Sequence, residues 1–219
     1  MSGSVDYRGS EKTIKRQEKA CKRMQMVIYY ICIYRLVYQN KEKIVMENAV
    51  LNNILTRRSC RSYTDREVNR GDIDTILKAG IYAPSGMNLQ SWQFTVIRKK
   101  ENILGLAEVV RKTLNRQEGY NFYNPNVIIL VSNSRDNTNG LADCACAMEN
   151  MFLMAHELGI ASCWINQLKE ICDVPEVRAE LDKYNVPKDH VVWGIVDLGY
   201  AKEELKMKEK NESVIVYAD

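Results

Sequence analysis

Proline is scarce, with 4 in 219 residues, and histidine scarcer, with 2. So little proline excludes a polyproline or collagen-like chain, and two isolated histidines, His156 and His190, leave a zinc site short of its usual ligands, so no metal is expected. The 7 cysteines are odd in number and show no paired spacing. Cys144 and Cys146 fall in a helical pattern while Cys60, Cys163 and Cys172 stand apart, the usage of reduced thiols in a cytoplasmic protein. No G-x-G-x-x-G follows a strand pattern and no G-x-x-x-x-G-K-[ST] loop occurs, which excludes the usual dinucleotide-binding fold and phosphate loop. An excess of one charge is missing too. The net charge is +3, and residues 1–45 hold 10 Lys+Arg against 4 Asp+Glu, leaving the rest mildly acidic at 21 against 24. A nucleic-acid partner is therefore not expected, because backbone binding needs a clustered cationic face.

Long apolar runs are absent as well. Met26 to Tyr34 is about half of the ~18 residues a membrane span requires, Gln25 and Arg35 bracket it, and no small-residue cleavage pattern follows. No membrane partner is expected. Residues 1–45 are read as an N-terminal extension, either surface-seeking or outside the functional domain, with the second preferred. Met46 opens a clean helical pattern just after Lys41-Glu42-Lys43, so it is the expected natural start, and residues 46–219 the expected domain.

What is present is a 46% apolar content sufficient for one sizeable core. Val50, Leu51, Ile54 and Leu55 give Glu47 to Arg57 the stripe of an amphipathic helix. A second helix starts at Asp72 and stops before Pro84-Ser85-Gly86, and a third runs from Glu101 to Arg116. Strands are expected at Trp92 to Ile97, Val127 to Val131, Ile160 to Ile165 and Val191 to Leu198, with a last short one at Val214 to Tyr217 that is expected to pair with something distant, a second subunit being one option. Leu141 to Leu158 is a helix apolar on nearly all sides, which demands either the centre of a large core or a subunit interface. Pro175 to Tyr184 is a short helix. Helices and strands interleave without strict alternation, so the fold class is α+β, a sheet flanked by helices.

Three constellations carry chemistry. Arg57-Arg58-Ser59-Cys60-Arg61 sets several guanidiniums and a hydroxyl just past a helix, which is either a phosphate cradle or a solvated charge run. Ala83 to Phe94 packs Pro84, Ser85, Gly86, Asn88 and Gln90 into a loop whose carboxamides both donate and accept, suited to a heteroaromatic edge, or else forms a plain turn beside an exposed Trp92. Lys206, Lys208 and Lys210 alternate, so an extended chain points them one way.

Taken in order, R-R-S-x-R (Arg57 to Arg61), A-P-S-x-x-N-x-Q-x-W (Ala83 to Trp92), the Ala147 to Ile165 run and L-G-Y with trailing basic residues (Leu198 to Lys210) resemble the FMN-dependent nitroreductases, in particular their short bacterial members. The likeness covers roughly 46–217. It implies a mainly antiparallel central sheet in an intertwined homodimer, with FMN at the interface and NADH or NADPH as co-substrate. By the same likeness Arg57, Arg58, Ser59 and Arg61 hold the phosphate and ribityl end, with Lys208 and Lys210 as the late basic pair. Pro84, Ser85, Gly86 and Asn88 come from the partner to flank the ring, Gln90 supports that loop, and Ile165, Asn166 and Gln167 meet the ring near N5. Ser91 and Ala201 stand where the family has proline, which is expected to loosen both loops, and Glu209-Lys210 replaces Pro-Arg.

The implied activity is an oxidoreductase that takes hydride from NAD(P)H and passes it to a nitroaromatic or quinone by a ping-pong route. Sibling flavoenzymes (ene-reductase, dehalogenase, azoline dehydrogenase) and a flavin-binding module with little turnover are the alternatives. No protein residue is assigned as obligatory acid or base: His156, on the apolar helix, is read as a packed, hydrogen-bonded imidazole. Tyr82, Tyr120, Phe122 and Tyr123 are candidates to line the substrate side.

Overall fold

The computed structural model describes residues 48–207 and 209–218. The expectations for residues 1–45, for Met46 and for Lys208 lie outside the described residues. The chain divides after Asn52. Of the first unit, residues 48–52 are described, and they begin the helix Ala49–Thr56 (α1).

The second unit holds α2 (Arg70–Ile81), β1 (Trp92–Ile97), α3 (Lys100–Thr113), β2 (Val127–Ser134), α4 (Gly140–Glu157), β3 (Ala161–Ile165), α5 (Pro175–Asp182) and β4 (His190–Gly199). The four strands form one antiparallel sheet in the order β1-β2-β4-β3. Because side chains alternate across a strand, Ile128 and Leu130 enter one core with α3 and α5, while Val127, Ile129 and Val131 enter another with α2 and α4. Helices thus cover both faces, which is why β2 opens as an unbroken apolar run. The strand is longer than its apolar part: Ser132, Asn133 and Ser134 continue it past a register shift at Val131/Ser132, so residues with turn character sit in the sheet.

Asn69 caps α2, its side chain accepting the Asp72 N–H at 2.9 Å, so the helix begins earlier than expected. In α4, Cys144, Ala147, Met148, Met151 and Ala155 are buried against the sheet and α2, whereas Leu141, Ala142 and Cys146 face outward. Val214 to Tyr217 differs from expectation. It pairs with no strand among the described residues; a 3-10 turn occupies Glu212–Val214, and Ile215, Val216 and Tyr217 follow as exposed chain outside any regular element. A four-residue segment has too few ladder bonds to order alone.

Candidate functional site

Helix α1 delivers the arginine segment to the sheet edge beyond β3. The Arg57 N–H donates to the Asn53 carbonyl at 3.0 Å, then the chain leaves the helix and Ser59 forms a parallel bridge with Ser162 of β3, sealed by Cys60 N–H to Ser162 O at 2.8 Å. Tyr63 pairs with Ala201, and Thr64 N–H to Tyr200 O (2.7 Å) and Lys202 N–H to Ser62 O (3.1 Å) flank that bridge. Gly199 permits the close approach, since a Cβ there would stand 2.7 Å from a Tyr63 ring carbon. Ala201 is therefore flanked by two backbone bonds, made by Tyr200 and Lys202.

This lacing brings both ends of the described chain to one cavity of about 400 Å³, lined by Arg57, Arg58, Ser59, Arg61, Ser62, Lys206 and Lys210 together with Cys60 and the Glu203–Leu205 stretch. Arg58 Nη1 donates to the Arg57 carbonyl at 2.6 Å, yet its Nε is buried with no hydrogen-bond partner among the described residues. A buried guanidinium donor left open costs free energy unless an acceptor meets it. Arg57 lies 3.7 Å from the Glu149 carboxylate and 5.9 Å from the centre of the Phe152 ring, and Arg61 lies 5.8 Å from the centre of Tyr123. Three guanidiniums, two ammoniums and two hydroxyls against Glu203 and Glu204 make a donor set that suits a phosphate dianion.

Pro84, Ser85, Gly86, Asn88 and Gln90 do not line that cavity. They form a loop with a 3-10 turn at Gly86–Asn88, in which Met87, Asn88 and Gln90 take positive φ of 50°, 56° and 48°. Local bonds hold it: Gln90 N–H to Ser85 Oγ at 3.2 Å and Gln90 Nε2 to Asn88 Oδ1 at 3.0 Å. Ser91, expected to loosen the loop, instead donates its hydroxyl to Asn133 Oδ1 at 2.8 Å and accepts from Asn137 Nδ2 at 3.1 Å. Hydrogen bonds replace the rigidity of a proline ring.

Ile165 ends β3, and Asn166 and Gln167 lead into the turn Leu168–Glu170; Ile165 is buried, Asn166 exposed, and the Gln167 side-chain Oε1 accepts from the Tyr120 hydroxyl. Phe122, Tyr123 and Asn124 take consecutive positive φ of 52°, 65° and 61°, a strained turn that aims Tyr123 at Arg61. Phe122 is fully buried and cannot line a substrate face; Tyr82 and Tyr123 are exposed. His156 Nε2 is 2.8 Å from Thr56 Oγ1, so its imidazole is hydrogen-bonded as expected.

Sequence reasoning missed Asp197. It lies on β4 opposite Ile128 and Cys163, fully buried, and neither carboxyl oxygen has a partner among the described residues. Burial pushes its carboxyl well above the ordinary range. Burial likewise lifts the neighbouring Cys163 thiol to about 11, the Asp197 charge adding to the effect. Cys60, Cys144, Cys146, Cys163 and Cys172 are all free thiols.

The arrangement defines an α+β protein with a cavity lined by cationic side chains at a sheet edge. Residues 54–200 match the profile described as Nitroreductase family. A curated protein of Archaeoglobus fulgidus named "Putative NADH dehydrogenase/NAD(P)H nitroreductase" is 32% identical over 167 residues, covering 74% of this chain and 91% of that one. Among solved structures, a nitroreductase with bound FMN from Bacteroides fragilis superposes with a TM-score of 0.74 at 39% identity, covering 78% of this chain and all of the other (100%). An FMN-dependent nitroreductase from Clostridium difficile gives 0.66 at 29% identity, covering 77% and 99%. The chain belongs to the nitroreductase family.

Proposed function

We propose that the chain is an FMN-dependent oxidoreductase, a cytoplasmic homodimer that takes hydride from NADH or NADPH and passes it to a small acceptor such as a nitroaromatic or quinone in ping-pong order. The observation that carries this reading is the cavity shared by Arg57, Arg58, Ser59, Arg61 and Lys210, on a chain of this family. A phosphomonoester fits that set of guanidiniums, ammoniums and hydroxyls.

Within the proposal, Arg57, Arg58, Ser59, Arg61, Lys208 and Lys210 grip the phosphate and ribityl end. Pro84, Ser85, Gly86, Asn88 and Gln90 wall the ring in the partner's pocket, which agrees with their lying apart from the cavity of their own chain. Ile165, Asn166 and Gln167 would meet the ring, with Gln167 held by the Tyr120 hydroxyl. The two-electron chemistry is supplied by FMN when bound. Arg61, with its guanidinium over the Tyr123 ring, would supply a fixed positive charge to a bound flavin. No side chain of the protein is required as acid or base. The flavin-binding domain is 46–219, with residues 1–45 outside it. No helix among the described residues is long and apolar enough to cross a membrane.

Purified protein is expected to be yellow, to bleach when NADH or NADPH is added under nitrogen, and to regain colour with a nitroaromatic or quinone. A colourless protein that binds no added FMN would overturn the proposal.

A further inference from the structure

The ring-walling loop is anchored from a distance. Asp143, in the first turn of α4 and 4% exposed, accepts the Gly86 N–H with Oδ1 at 2.9 Å across 57 residues of sequence. Its other oxygen accepts from Asn137 Nδ2 at 2.9 Å, and the same amide nitrogen reaches Ser91 Oγ at 3.1 Å. Ser91 closes the circuit by donating to Asn133 Oδ1 of β2 at 2.8 Å. Both ends of the loop, Gly86 and Ser91, are thus tied through one buried carboxylate and two asparagines to α4 and the sheet. Asn139 fills the space beside Gly86, where a Cβ would stand 2.5 Å from its Nδ2.

We infer that Asp143 is a positioning residue for flavin binding: through the Gly86 N–H and Asn137 it fixes the Pro84–Gln90 loop in the geometry that meets the ring. This rests on the reading that the loop walls a flavin. A buried carboxylate accepting an amide N–H holds that amide more tightly than a neutral acceptor would. Three non-glycine residues at positive φ would otherwise relax, since such conformations persist only where surrounding contacts over-determine them. Asp143 does not line the cavity and touches no reacting atom.

The test compares Asp143→Ala, Asp143→Asn, the exchange Asn137→Asp with Asp143→Asn, and Asn88→Ala. The measurements are FMN affinity by fluorescence titration and visible circular dichroism of the bound flavin. Asp143→Ala is expected to weaken FMN at least fivefold and to alter the flavin dichroism in protein that remains folded. Asp143→Asn sets two amide nitrogens against each other and is expected to weaken binding as well. The exchange restores an acceptor for Gly86 N–H and a donor–acceptor pair between 137 and 143 while giving up the donor to Ser91 Oγ, so it recovers affinity and spectrum in part, above either Asp143 single variant. Should Asp143→Ala be insoluble, Asp143→Asn and the exchange carry the comparison, and hydrogen exchange of the unaltered protein adds a check in which the Gly86 amide is slow. Affinity within twofold and an unchanged spectrum in the Asp143 variants, with Asn88→Ala impaired, would overturn the inference alone. If Asn88→Ala is also without effect, the placement of the loop against flavin falls instead. A stability loss equal with and without FMN, at unchanged affinity, would reduce Asp143 to a fold residue.

Discussion

Arg57 and Glu149 form a 3.7 Å ion pair between the end of α1 and the outward side of α4, with the guanidinium also near the face of Phe152. Exposed pairs of this kind contribute little, about 0–1 kcal/mol, so Glu149 orients Arg57 without neutralising its use as a phosphate donor. Arg57→Ala should weaken FMN at least tenfold, a loss on the order of 1.5–3 kcal/mol for a charge-assisted contact. Glu149→Gln should leave affinity within about fivefold, as the small worth of the pair requires. Titration of apoprotein with FMN distinguishes them; equal affinities for Arg57→Ala and the parent would put the phosphate elsewhere.

Arg61 is steadied by Tyr123, whose strained turn aims the ring at it. An exposed cation–π contact is worth about 0.5–1 kcal/mol. Tyr123→Ala should therefore loosen FMN by about two- to fivefold, and Tyr123→Phe, which keeps the ring face, should not. Affinity lost equally in both variants would assign the effect to the hydroxyl.

Asp197 gives a pH-dependent stability with a defined sign. Burial raises its carboxyl well above the ordinary range in the fold, while the unfolded chain ionises at pH ~3.9. The native state is favoured most below that value and loses this contribution as pH rises toward the raised folded value. Asp197→Asn cannot ionise, so at pH 7 it should be more stable than the parent, by the free energy that ionisation of the unfolded parent takes from its native state. Urea unfolding at pH 7 and pH 3.5 checks this: the gap should shrink at the lower pH, and a less stable variant at pH 7 would mean that the ionised carboxylate is solvated or paired in the native protein.

The C-terminal residues Val214, Ile215, Val216 and Tyr217 are all exposed, an apolar run with no cover among the described residues. In the proposed homodimer they pack on the second copy. Sedimentation of a chain ending at Asn211 should show more monomer at a given concentration than the full chain; an identical dimer would leave these residues without that role.

Much of this was written locally. Trp92 to Ile97 reads as a strand from its composition alone and is one, and α3 and α5 follow from apolar spacing and a leading proline. The edges of elements were less visible, because Ser132 and Asn133 carry turn preferences that pairing with β4 overrides. The arginine segment could be named but not placed: its position depends on Ser162, Tyr200 and Ala201, more than 100 residues away. Asp143 and Asp197 were invisible for the same reason. A single acidic residue in an apolar pattern does not announce whether it meets an N–H, as Asp143 does, or nothing.

The distance between the cation-lined cavity and the Pro84–Gln90 loop within one chain has a genetic corollary on the proposed assembly. An Arg57→Ala chain and an Asn88→Ala chain, each weak in FMN binding with its own kind, would restore a full-affinity pocket when co-expressed. Every mixed pair would own one intact pocket and one carrying both lesions.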